Sequence, residues 1–110
     1  MRFLCLAYGN ERDWLALSED RRAELIAGDD VLRRRGALVA VLGDPTVVRA
    51  WDGAPETSAK AFAPGDAPLV GFSLVDADDV DEAVRLVAAT PCAVAGGAIE
   101  IRPLVDPGAA

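Results

Sequence analysis

The sequence predicts an α+β fold, and three of its features support that prediction. Two amphipathic helical patterns are separated by a group of strand patterns, which gives the order β-α-β-β-(β)-β-α-β rather than a strict alternation of strand and helix. The chain has 110 residues, the usual length of one domain. Hydrophobic residues make up 52% of it, enough for a single core. The element order matches a ferredoxin-like subunit.

Short apolar segments predict the strands. The first segment is apolar almost throughout, which is typical of a strand covered on both faces. Residues 52–68 are rich in Gly, Pro and Ala, and they predict the longest loop or a variable hairpin. The predicted strands are residues 2–8, 37–42, 46–51, 69–75 and 98–105.

Two segments with helical spacing predict the helices. Ser18 can cap the first helix, which ends at Gly36. Asp79 opens the second helix, and Glu82 follows three residues later, as in a capping box. Apolar residues at positions i, i+3, i+4 and i+7 predict one buried stripe on this second helix. The stripe consists of Val80, Ala83, Val84 and Val87.

Two helices cover only one face of such a sheet. The other face would carry apolar residues such as Leu4, Leu6 and Val70. These residues require a cover, and a homodimer that packs sheet on sheet provides it. We expect one domain over residues 1–105 and a flexible tail over residues 106–110.

The balance of charges excludes two classes of partner. With 11 basic and 18 acidic residues the net charge is −7, whereas nucleic acids and anionic membranes are bound by basic faces. The chain has no His, the commonest general base and metal ligand. The two Cys residues lack the spacing of a zinc site, and the acidic run 76–82 does not match a calcium-binding loop. No metal and no cofactor are therefore expected.

The sequence predicts a soluble, cytoplasmic protein. Its first apolar run is too short for a signal peptide, and none approaches the ~20 residues of a membrane span. We expect Cys5 and Cys92 to be reduced thiols packed as small hydrophobic residues. Almost all basic residues are Arg and Ala is abundant, which is typical of a GC-rich bacterial genome.

Glu100 and Arg102 are candidate ligand-binding residues. Alternation along the last strand directs both side chains to the same face. Either the two residues form a structural ion pair near the strand end, or Arg102 binds an anionic ligand with the Glu100 carboxylate beside it. In the second case Glu100 is also a candidate general base.

Asp44 and Tyr8 are two further candidates. Asp44 lies between Gly43 and Pro45, where it either forms a turn or acts as a general base at the mouth of a cavity. Tyr8 ends the first strand, where it either packs or donates a hydrogen bond to a ligand.

Several short segments together resemble a known family. They occur in the family's order and cover nearly the whole chain. They are Tyr8-Gly9-Asn10-Glu11 with Trp14, Leu17-Ser18, Gly71-Phe72-Ser73-Leu74-Val75-Asp76, Asp79-Val80-Asp81-Glu82-Ala83 and Gly97-Ala98-Ile99-Glu100-Ile101-Arg102-Pro103. This pattern is similar to that of the YCII-related, or DGPF-domain, family.

The resemblance implies a ferredoxin-like subunit that forms a dimeric α+β barrel with a cleft. Some members are enzymes or proposed enzymes acting on small organic acids, with a His–Asp pair suggested as the active site, and others occur beside or fused to extracytoplasmic-function sigma factors. This chain departs from the pattern, because Phe62 is present but the Asp-Gly-Pro before it and any His are missing. Tyr8, Glu100 and Arg102 match the family pattern.

Two functions follow as hypotheses. In the first, the protein binds a small carboxylate-type metabolite, and if it is an enzyme it is a cofactor-free isomerase or lyase with a carboxylate base. In the second, it is a non-catalytic accessory or regulatory module that binds a protein partner such as transcription machinery. The sequence does not decide whether the protein is an enzyme. A dimeric α+β barrel monooxygenase of the cofactor-free or haem-degrading kind is disfavoured, and the haem version usually requires a His ligand, which this chain lacks.

Overall fold

A four-stranded sheet in the order β2-β5-β1-β6 forms the centre of the protein, and all its neighbouring strands are antiparallel. The computed structural model describes residues 1–63 and 65–107. The strands are β1 (Arg2–Tyr8), β2 (Leu38–Val41), β3 (Val47–Arg49), β4 (Glu56–Ser58), β5 (Leu69–Asp76) and β6 (Ala98–Pro103). The helices are α1 (Glu11–Leu15), α2 (Glu19–Arg34), α3 (Val80–Val87) and α4 (Pro91–Val94). The predicted α+β fold is confirmed.

Local capping fixes where the two long helices begin. The Ser18 hydroxyl accepts a hydrogen bond from the Arg21 amide at 3.1 Å, which caps α2. At α3 the Asp79 carboxylate accepts a hydrogen bond from the Glu82 amide at 2.8 Å. Both helices were predicted from these caps. The short helices α1 and α4 were not, since each lies in a stretch that has too few residues to show a periodic pattern.

The core lies between one face of the sheet and helices α2 and α3. Apart from Phe3 it consists of small and medium side chains, and half-buried neighbours such as Ile99 and Ile101 extend it. Its buried members are Phe3, Cys5, Leu32, Val75, Ala77, Ala83 and Val87. The stripe predicted on α3 is only half right: Ala83 and Val87 are buried, whereas Val80 and Val84 are about half exposed. Ala83 and Val87 form one row along α3, and this row faces the sheet. Val80 and Val84 form a neighbouring row at the border of the buried face, where they stay about half exposed.

The opposite face of the four-stranded sheet, here called the open sheet face, is partly exposed in the single chain. Leu4 pairs with Leu74 and Leu6 pairs with Phe72, and all four side chains are half-buried. The register of β1 and β6 adds Glu100 and Arg102 to this face. The expectation that one sheet face lacks a helical cover therefore matches the positions of these residues.

Strands β3 and β4 form a separate two-stranded sheet, here called the arm. The predicted third strand is shorter than expected, and its partner β4 comes from the segment expected to hold a loop or hairpin. The molecule measures 50 × 38 × 19 Å, with a radius of gyration of 15.9 Å. In the predicted tail, Asp106 and Pro107 are exposed and residues 108–110 lie outside the described residues. No described helix combines the length and apolar character that crossing a bilayer requires.

Candidate functional site

A cavity of about 420 Å³ lies between the four-stranded sheet and the helices. Its floor is formed by residues of β1, β2 and β5, and its walls by residues of α1, α2 and α4. Ligand pockets in proteins commonly have volumes of about 300–1,000 Å³, so this cavity is large enough for a small organic molecule.

Small residues at one end of the sheet create this cavity. Cys5 pairs with Ser73 and Ala7 pairs with Gly71, so that four small residues form a block in the floor of the cavity. At the other end of the same strands, Phe3 pairs with Val75, and both are buried in the core. The space between the sheet and the helices is therefore filled around Phe3 and Val75 and is open beside the small residues.

Two charged residues of α2 line the cavity, and the first is a half-buried carboxyl. Asp29 and Arg33 are four residues apart and so lie on the same face of the helix. Burial raises the pKa of Asp29, the nearby Arg33 opposes this increase, and Asp30 adds to it. The Arg33 guanidinium also donates a hydrogen bond to Asp30 at 2.9 Å, with both side chains about half exposed. The cavity therefore holds a carboxyl that is a stronger base than an ordinary Asp, with a cation beside it.

A thiol lies near this carboxyl. Cys92 of α4 lines the cavity and is a free cysteine, as is Cys5 in the floor. Burial raises the pKa of Cys92, and the negative charge of Asp29 raises it further. A Cβ added at Gly9 would lie 3.1 Å from the Cys92 sulfur, so the thiol packs closely against the backbone that follows β1.

Asn10 holds the α1 side of the cavity in place. Its side-chain oxygen accepts a hydrogen bond from the Asp13 amide at 2.8 Å, which caps α1. Its side-chain nitrogen donates to the backbone oxygen of Asp66 at 3.1 Å, which ties α1 to the loop before β5. This fixed helix presents Trp14 to the cavity wall.

The residues predicted from the sequence lie elsewhere. Arg102 donates a hydrogen bond to Glu100 at 3.0 Å, and the Arg102 side chain is 70% exposed. Both belong to the open sheet face, because Arg102 pairs with Leu4 and Glu100 pairs with Leu6. Tyr8 is half-buried opposite Ala98, and Asp44 is exposed between β2 and β3. The structure thus brings Glu100 and Arg102 together, and none of the four predicted residues is among the described residues that line the cavity.

Sequence reasoning missed Asp29, although the sequence contains a signal for it. Leu25 and Leu32 are fully buried on α2, and Asp29 lies four residues after the first and three before the second. An acid at that spacing is on the buried stripe of the helix, where a charge is costly unless it has a role. Among the described residues, no group of three or more acidic or Cys side chains is arranged to hold a metal ion.

Comparison with known protein families identifies the chain. The model of the YCII-related domain family matches residues 1–106, from the start of the chain through β6. No curated protein matches the sequence significantly. The family match includes every residue of the cavity as well as the arm, and it confirms the resemblance predicted from the sequence motifs.

Proposed function

The chain belongs to the YCII-related domain family, and with this as the premise we propose that it binds a small organic acid in the cavity between its sheet and its helices. The observation that carries the proposal is the half-buried Asp29 in the wall of a cavity of about 420 Å³. Most of the other lining side chains are apolar, so the ligand is expected to present a largely apolar body.

Arg33 is the residue we expect to bind the anionic group of the ligand. Arg33 is one of the residues that line the cavity, and its present partner Asp30 is about half exposed. An exposed ion pair contributes little, about 0–1 kcal/mol, so a ligand carboxylate can replace Asp30 at low cost. A guanidinium also binds a carboxylate through two parallel hydrogen bonds, which orients the ligand.

If the protein is an enzyme, we propose that Asp29 transfers the proton. A raised pKa brings a carboxyl closer to neutral pH, where it accepts and returns protons most effectively. The reaction type that fits is an isomerisation or elimination without a cofactor. Asp29 then takes the role of general base that the sequence suggested for Glu100 or Asp44. Ligand binding by Tyr8, Glu100 and Arg102 stays a prediction for the open sheet face. We expect a second copy of the chain to cover this face.

A second candidate function is the non-catalytic module that binds a protein partner. It is favoured by the sequence of residues 59–62, which has lost the Asp-Gly-Pro of the family, and by the lack of His in the chain. This function requires no ligand in the cavity, so ligand binding separates the two candidates.

The test is thermal unfolding of the protein with a panel of small carboxylic acids, lactones and phenols. A ligand at a hundred times its Kd adds about 2.7 kcal/mol, which raises the Tm of a domain of this size by several degrees. We expect a compound that raises the Tm of the wild type and of Arg102→Ala but not of Arg33→Ala. The two variants are matched, because each removes an Arg from an exposed ion pair.

Three results would count against the cavity. A rise in Tm that is lost only in Arg102→Ala would place the ligand site on the open sheet face. A panel in which no compound raises the Tm would favour the protein-binding module. A bound compound that leaves the labelling of Cys92 by a thiol reagent unchanged would also place the ligand outside, since Cys92 lines the cavity.

A further inference from the structure

The arm carries a preformed group of exposed side chains. The Arg49 guanidinium lies 5.8 Å from the centre of the Trp51 ring and 5.5 Å from that of Phe62. Trp51 is 91% exposed, Phe62 75% and Val48 62%. These four residues are here called the arm cluster. Contact with two rings holds Arg49 in place, so little conformational freedom remains to be lost when a partner binds.

Two residues of the arm cluster, Trp51 and Arg49, are of types that dominate binding interfaces. Trp and Arg are enriched among the few residues that carry most of the binding energy, and they act when a partner excludes water from them. A group of neighbouring exposed apolar side chains marks an interaction surface, and Trp51, Phe62 and Val48 form such a group.

The chain exposes more surface than a compact monomer of its mass, by an amount that fits a homodimer interface. The chain exposes 7691 Å², whereas a compact monomer of its mass of 11.5 kDa exposes about 5,800 Å². Its radius of gyration of 15.9 Å likewise exceeds the value of about 13 Å for a compact domain of this length. The excess of about 1,900 Å² falls within the roughly 1,000–2,500 Å² that each partner buries in an obligate homodimer.

We propose that the arm cluster docks on a second copy of this chain. The arm follows β2 in the chain, and β2 pairs with β5. Directly after β2, the Leu42 amide still donates a hydrogen bond to the Val70 oxygen of β5 at 2.9 Å. The arm therefore extends from the edge of the four-stranded sheet. A second copy on the open sheet face lies beside this extension, and the arm cluster closes over it. Two-fold symmetry provides the contact twice, since each copy contributes an arm.

This inference rests on the homodimer of the proposed function and adds a surface that the open sheet face does not contain. It is independent of any ligand in the cavity. Two measurements distinguish a failure of this inference from a failure of the dimer. The association of the wild type tests the dimer, and the association of variants in the arm cluster tests the inference.

The experiment is sedimentation equilibrium of the full chain from about 1 to 100 µM, which measures the dissociation constant of the dimer. The variants are Trp51→Ala, Phe62→Ala and the pair together, with Val84→Ala as a control on the exposed side of α3. We expect a wild-type dimer, a dissociation constant at least about tenfold higher in the paired variant, and no change in the control. A wild-type monomer at all concentrations would overturn the dimer and the inference, and a dimer unaffected by the arm variants would overturn the inference alone.

A second measurement does not depend on how the arm variants fold. In a Trp14→Phe variant, Trp51 is the only Trp, so its fluorescence reports on the arm cluster alone. We expect acrylamide to quench this fluorescence weakly in the dimer and strongly after dilution to the monomer. Strong quenching of Trp51 while the protein is still a dimer would contradict the proposal and assign the arm to a different partner.

Discussion

At the scale of single residues, Asp29 combines a cost in stability with the chemistry proposed for the cavity. A carboxyl on the buried stripe of α2 loses hydration, and burial outweighs the attraction of Arg33, because the pKa of Asp29 is raised overall. The folded state therefore holds the Asp29 proton more tightly than the unfolded state. The stability that this adds is present at low pH and is lost as the pH rises through the folded-state pKa of Asp29.

The first prediction concerns Asp29→Asn. Because ionised Asp29 destabilises the fold at neutral pH, the variant is expected to raise the Tm at pH 7, and to raise it less at pH 3, below the ordinary Asp value of 3.8. Thermal unfolding at the two pH values measures both effects. The control is Asp30→Asn, which removes the neighbouring partner of Arg33 and is not expected to stabilise the protein. A Tm for Asp29→Asn that falls at pH 7 would show that the carboxylate supports the fold instead.

At the scale of secondary structure, Gly28 sets how closely α2 approaches the rest of the protein. A Cβ at this position would overlap the backbone oxygen of Ala89, in the segment between α3 and α4. The helix reaches this segment only because residue 28 has no side chain. The close approach also holds Asp29, the next residue, beside the cavity wall that α4 provides.

The second prediction is that Gly28→Ala destabilises the protein. Ala favours a helix over Gly by about 1 kcal/mol, whereas overpacking costs about 1–3 kcal/mol. The overlapping atom belongs to the backbone and cannot rotate away, so we expect the upper part of that range and a net loss of about 1–2 kcal/mol. Urea unfolding measures the loss. A variant that is about 1 kcal/mol more stable than the wild type would show that only helix propensity acts at residue 28.

The sequence predicted the elements that have a local signal. Ser18 and Asp79 mark the starts of α2 and α3 through side chains that bond to amides three residues ahead, so a short stretch of sequence contains the whole cause. The cavity has no such signal, because it depends on which residues of β1 and β5 become neighbours. Ala7 and Gly71 are far apart in the chain, and only the register of the two strands places one small residue opposite the other.

The candidate site shows the same limit. Alternation along β6 correctly placed Glu100 and Arg102 together on one face, but it does not reveal that β6 lies at the edge of the sheet, where both are exposed. The strand order depends on long-range pairing. A local pattern therefore indicates the charged pair Glu100 and Arg102, because both residues lie in one strand. It does not indicate Asp29, whose neighbours in the cavity come from other elements.

At the scale of the whole molecule, the fold is filled at one end and hollow at the other. Phe3 and Val75 fill the space between the sheet and the helices, while Ala7 and Gly71 leave it open. A protein that keeps such a space gives up the burial of apolar surface there, since each buried methylene contributes about 0.8 kcal/mol. Residues that would stabilise a protein if enlarged are often kept small where the space is used.

The third prediction is that Ala7→Leu raises the stability of the protein and abolishes ligand binding in the cavity. The larger side chain extends over Gly71 into the cavity, where it buries apolar surface and occupies ligand space. We expect a gain of about 1 kcal/mol in unfolding free energy, and no change of Tm with any compound that stabilises the wild type. The matched control is Ala98→Leu, at an exposed position of β6 outside the cavity lining, which should keep the ligand response. A compound that stabilises Ala7→Leu as much as the wild type would place its site away from the cavity, because the enlarged side chain and the ligand cannot occupy the same space.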